Sequence, residues 1–159
     1  MEGTTQGNPL AMPRYSLNTS HMINDLSINN PSIKQVWLAD DASAAGKLQP
    51  LFDWYNRLIF EGRKHGYFVN GAKSWLILKS PSLKVDATKI FGNTVNITSE
   101  GKRHLGAVIG SDQFKEEYCD NLVQNWVAQL KVLCNIAETQ PQAAYTAYTK
   151  GFHENYRRF

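Results

Sequence analysis

Two adjacent acids, Asp40 and Asp41, follow a short apolar run, Val36-Trp37-Leu38-Ala39. Such a pair at the tip of a buried strand suits phosphoryl transfer with magnesium, or with manganese in its place. Hard cations take oxygen ligands, and two ions about 4 Å apart must both be held by carboxylates. Strand alternation sends successive side chains to opposite faces, so Asp40 and Asp41 reach one ion only if the chain turns there. The segment from Ala42 to Gly46 allows that turn. A pair of acids after a strand also starts many ordinary solvated turns, so the surrounding motifs decide between the readings. Other chemistries find less support. His21, His65, His104 and His153 are scattered and form no zinc spacing with the cysteines, and no phosphate-cradling glycine loop is present.

The elements that must position the acids follow from the breakers and the apolar periodicity. A polar Asn- and Ser-rich stretch, Ser27 to Ser32, reads as a loop into a strand from Lys34 to Ala39. Leu48, Leu51, Phe52, Tyr55, Leu58 and Ile59 mark an amphipathic helix, with Pro50 tolerable in its first turn and Gly62 near its end. Ser74 to Leu78 reads as a strand buried on both faces, and Val85 to Phe91 as a short helix. Val95–Thr98 and His104–Ile109 are expected to pair as a hairpin around Ser99-Glu100-Gly101-Lys102. From Ser111 a long helix carries Cys119, Leu122, Val123, Trp126, Leu130, Leu133 and Ala137 on one face, until Pro141 opens a second helical segment. The alternation of strand, helix and strand argues for an α+β or α/β layer and not a bundle, followed by a helical region.

The 159 residues suffice for one domain or for a piece of a larger one. Seventeen basic residues against fourteen acidic ones give a net charge of +3, compatible with a polyanionic partner but not diagnostic of one. Cys119 and Cys134 lie on one helix about 22 Å apart at ~1.5 Å of rise per residue, too far to bond. They read as buried free thiols of a reducing compartment, and the chain is expected to be intracellular. No run approaches the ~18 apolar residues of a membrane span, so no membrane partner is expected.

Three motifs in order, Gln6-Gly7-Asn8-Pro9-Leu10-Ala11, Leu38-Ala39-Asp40-Asp41 and Asn70-Gly71-Ala72-Lys73, resemble the palm of a retroelement reverse transcriptase. The resemblance spans Glu2 to about Gly110 and implies an α+β fold there, a partial palm with an antiparallel sheet and covering helices; the helices of residues 111–159 then correspond to a region leading toward the thumb. It implies RNA-templated DNA synthesis, with Asp40 and Asp41 as magnesium ligands and catalytic acids and Lys73 beside the triphosphate. There the lysine neutralises charge and protonates the departing pyrophosphate. Gln6, Gly7 and Pro9 would lie against the template base and the arriving nucleotide, with Pro9 in the first turn of a helix. Pro13 inside that helix predicts a kink near Met12. Leu105-Gly106 resembles the hairpin that grips the primer end.

The implied partners are an RNA template, a DNA primer, deoxynucleoside triphosphates and the amino-terminal part of the polymerase. The family's palm needs another metal-binding aspartate on a strand upstream of Gln6, which this sequence does not contain. Asp25 and Asp53 sit on the wrong elements to replace it. The chain is therefore expected to be inactive alone. Two other readings stay open: a noncatalytic nucleic-acid binder using Lys73, Lys102, Arg103, Trp75 and Tyr67, and an interaction module using the long helix around Trp126.

Overall fold

The computed structural model describes residues 8–152, and the fold is α+β. In chain order the elements are α1 (Ala11–Asn29), β1 (Lys34–Leu38), β2 (Asp41–Ala45), α2 (Leu48–Lys64), β3 (Trp75–Ile77), α3 (Lys84–Phe91), β4 (Asn96–Thr98), β5 (Gly101–His104), β6 (Ala107–Gly110), α4 (Asp112–Thr139) and α5 (Pro141–Ala147). Among the described residues the strands pair only two by two, β1 with β2, β3 with β4 and β5 with β6. The chain forms two compact units. One runs to Ser74 and includes Val85–Asn96; the other comprises Trp75–Lys84 and the chain from Ile97 onward.

The first unit holds most of the buried core. α1 begins at Ala11 because Asn8 closes the preceding turn, its Oδ1 accepting from Leu10 N at 2.9 Å and its carbonyl from Ala11 N at 3.0 Å. The predicted kink near Met12 does not occur. Pro13 falls in the first turn of α1, where a missing N–H loses no intrahelical bond, and Pro9 lies before the helix instead of within it. Thr19, Met22 and Leu26 form the buried stripe of α1. α2 answers with Trp54, Tyr55, Leu58 and Gly62; Tyr55 and Leu58 belong to the predicted stripe, whose Leu48, Leu51, Phe52 and Ile59 are only half-buried, and Trp54 lies outside it. Gln35 of β1 ties three elements together. Its Nε2 donates to Ile23 O, and its Oε1 accepts from Trp54 Nε1, each at 2.9 Å. Phe91 of α3 seals the other side of α2, edge-on to Phe52 at 5.1 Å.

Several expectations need correction. The run Val36–Leu38 is not a buried strand: Val36 is 68% exposed and Leu38 57%, because only the Gln35 and Trp37 face turns inward. The residues read as a turn after the acids, Ala42 to Ala45, are the return strand β2. In the second unit, Leu76 and Leu78 are buried but Trp75 is exposed, so that strand buries one face and not two. The predicted hairpin around residues 99–102 is replaced by one between β5 and β6, with Gly101 paired to Gly110 and His104 to Ala107. A side chain at Gly101 would run into Phe114 and Ile109, so the glycine that looked like a turn residue serves close packing instead.

Ser111 starts α4 as its N-cap, its Oγ accepting from Phe114 N at 3.2 Å. Lys115 beside Asp112 holds that carboxyl below the usual carboxylate range, first through a hydrogen bond and then through its charge. None of the 28 residues of α4 is fully buried. Cys119 and Cys134 are accordingly exposed free thiols, which corrects their expected burial.

Candidate functional site

The acid pair stands at the end of the β1–β2 hairpin. Leu38 pairs with Asp41, which leaves Ala39 and Asp40 as a two-residue tip. Ala39 takes φ 53°, the left-handed region that so tight a turn demands at its first position. The register then brings both carboxylates to one end of the hairpin, although their residues are adjacent in sequence. Both side chains are exposed. Asp41 shares its face with Leu38 and Val36, while Trp37 and Gln35 occupy the opposite face.

Aromatic residues support the tip from below. Tyr67 Oη donates to the Asp40 carbonyl at 2.9 Å, and its ring meets Trp37 edge-on with centroids 5.5 Å apart. Partial burial, and next the neighbouring Tyr15, Asp40 and Asp41, push the Tyr67 phenol up to about 12. Burial, and then Asp40, raise Tyr15 in the same way. Both phenols therefore stay protonated at neutral pH and add no negative charge beside the carboxylates. An open groove of about 550 Å³ runs along α1 from Met12 and Tyr15 to Ile23, with Trp37 and Ala39 on its other wall.

The segment carrying Lys73 leaves α2 through Tyr67. Tyr67 N donates to Gly62 O at 2.8 Å, and a Cβ at Gly62 would sit 2.7 Å from Tyr67 O, so the close return of the chain requires that glycine. Three residues later Asn70 caps a single 3-10 turn, Gly71–Lys73, its Oδ1 accepting from Lys73 N at 3.2 Å. Asn96 Nδ2 fixes the turn from the side by donating to Ala72 O at 2.8 Å. Lys73 is exposed and, among the described residues, forms no ion pair with Asp40 or Asp41.

The remaining predicted residues divide. Gln6 and Gly7 lie outside the described residues, and Pro9 is exposed in the turn before α1. Leu105 and Gly106 form the two-residue tip of the β5–β6 hairpin, with φ values of 52° and 86°. Trp75, proposed as a nucleic-acid contact, carries the Lys102 ammonium 4.0 Å from its ring centroid. Asp25 and Asp53 are exposed on α1 and α2. From sequence Tyr67 stands out only as an aromatic candidate for nucleic-acid contact; its bond to Asp40 joins residues 27 apart and leaves no local signal.

Magnesium commonly takes one or two protein carboxylates and completes its octahedron with water and substrate phosphate. Asp40 and Asp41 are two exposed carboxylates at the end of one hairpin. Among the described residues no cluster of three His, Cys, Asp or Glu side chains could hold an ion by itself. No described helix is long and apolar enough to cross a membrane. Comparison with protein families, with curated proteins and with solved structures finds no match to this chain.

Proposed function

We propose that the chain is part of the palm of an RNA-directed DNA polymerase and that the β1–β2 tip is its metal- and nucleotide-binding end. The observation that carries this reading is the placement of two adjacent acids at the end of the β1–β2 hairpin, Asp40 in its two-residue tip and Asp41 at the start of β2, in motif order with the Asn70–Lys73 turn. Magnesium, or manganese, held there would supply Lewis-acid charge neutralisation for a deoxynucleoside triphosphate and the attacking primer 3′ hydroxyl. Asp40 and Asp41 supply carboxylate oxygens to the ion. Lys73 offers a mobile positive charge for the pyrophosphate side. Pro9, with Gln6 and Gly7, belongs to the template and nucleotide side. Leu105 and Gly106 belong to the primer side.

A two-ion centre needs at least one further carboxylate, and this must come from outside the described residues. The chain alone is thus expected to bind ion, nucleotide and primer–template without extending the primer. The test is primer extension on an RNA template with magnesium, using the chain and a version extended upstream through an aspartate-bearing strand. Extension by the longer version that disappears in Asp40→Ala supports the reading. Extension that survives Asp40→Ala removes the acid pair from the mechanism.

A second reading has its own observation. The exposed Trp75 with Lys102 stacked on it is a platform of the kind that holds unpaired bases and phosphates without any metal. Binding that weakens steeply with salt and ignores magnesium would favour it.

A further inference from the structure

We propose that Tyr67 is the positioning residue of the acid tip, a latch that fixes the Asp40 turn to the chain segment leading into Lys73. The inference rests on the palm reading of the tip but draws on contacts that the resemblance does not supply. A two-residue turn at the end of a half-exposed hairpin has little packing of its own; Val36 and Leu38 on its outer face are largely exposed. Tyr67 provides what the hairpin lacks. Its hydroxyl donates to the Asp40 carbonyl at 2.9 Å, and its ring braces Trp37, two residues before the tip turn begins at Ala39.

The base of the latch is rigid. Tyr67 N is bonded to Gly62 O, and Gly62 is itself buried on α2 with no room for a side chain. Tyr67 thereby converts the fixed end of α2 into a fixed position for Asp40. The same residue lies three positions before Asn70, the cap of the Lys73 turn. One residue therefore ties the acid tip to the chain segment that leads into the Lys73 turn.

Tyr67→Phe keeps the ring against Trp37 and deletes only the hydroxyl. Two readouts separate the latch from the palm reading. Amide hydrogen exchange of residues 38–42 reports the turn directly. Manganese titration by electron paramagnetic resonance, in the presence of a deoxynucleoside triphosphate, reports the site. The latch predicts exchange faster by roughly tenfold in Tyr67→Phe, the scale of one lost hydrogen bond. It also predicts manganese affinity weaker by about three- to tenfold, with far-UV circular dichroism unchanged. Asp40→Asn should abolish manganese binding while leaving exchange at residues 36–38 near the wild-type rate. If exchange at residues 38–42 is unchanged in Tyr67→Phe, the latch is overturned whatever the metal does. If exchange rises but neither wild type nor variant binds manganese, the latch stands and the palm reading fails. If exchange rises and manganese affinity is unaffected, Tyr67 holds the turn without positioning the ligands, and the proposal is overturned.

Discussion

Two hairpins in this chain close with two-residue tips, and they differ in what the tip carries and what holds it. The β1–β2 tip, Ala39-Asp40, presents carboxylates and is tied down by a tyrosine from a distant segment. The β5–β6 tip, Leu105-Gly106, has positive φ at both residues, as the common primed hairpin turn requires, and puts a leucine where asparagine or glycine would be relaxed. A leucine in the left-handed region costs about 1 kcal/mol or more relative to glycine. Turn geometry alone therefore does not mark a functional end. Both tips open on a non-glycine residue in the left-handed region, Ala39 and Leu105; one sets a carboxylate beside it, the other exposes the apolar residue itself.

That contrast can be broken by substitution, and the largest effect is expected at the acids. Asp40→Asn or Asp41→Asn should reduce manganese affinity in the presence of nucleotide by more than about tenfold, since each removes a charged oxygen ligand. Leu105→Ala should leave it unchanged. Equal losses at the two tips would show that neither is a specific site.

Next in size is the support beneath the first hairpin. Leu26 is fully buried on α1, so Leu26→Ala should cost about 2–5 kcal/mol in urea unfolding. Val127 is 44% exposed on α4, where no residue is fully buried, and Val127→Ala should cost no more than about 0.5 kcal/mol. A large loss at Val127 would mean that α4 is covered by a partner in solution.

The strain argument is tested by relief. Leu105→Asn should stabilise the second unit by about 1 kcal/mol, because asparagine tolerates the left-handed region that leucine resists. No gain in midpoint would show that the leucine side chain recovers its strain through packing.

A further effect lies in the alkaline limb of stability. Tyr67 ionises near 12 in the folded chain against about 10 when unfolded, so between those values the unfolded state binds fewer protons than the folded one. Stability conferred by the protonated phenol is complete below pH 10 and is lost as pH rises toward 12. Tyr67→Phe should flatten that decline, and ultraviolet absorption near 295 nm should lose its latest-ionising phenol.

Much of the skeleton was legible because it is periodic. The stripe of α2, the existence of β1 and the long helix ended by Pro141 all follow from apolar spacing and breakers, and the structure has them. The errors occurred where a polar run imitates a turn. Ser99 to Lys102 carries turn-forming residues, yet the hairpin closes at Leu105-Gly106, and a leucine gives no warning of a positive φ. Ala42 to Gly46 reads as a loop because small residues give no strand pattern, although Ala42 to Ala45 pair with β1 as part of β2. At the candidate site the acids and Lys73 were visible as motifs. What holds the acids was not, because Tyr67 and Gln35 act through single hydrogen bonds to backbone or to tryptophan across long stretches of sequence.

The most direct measurement is electron paramagnetic resonance of manganese titrated into the chain with a deoxynucleoside triphosphate, alongside Asp40→Asn and Asp41→Asn. The palm reading predicts bound manganese in the wild type that requires nucleotide and is lost in both variants. Binding that is absent from the wild type, or that persists undiminished without the carboxylates, would contradict it.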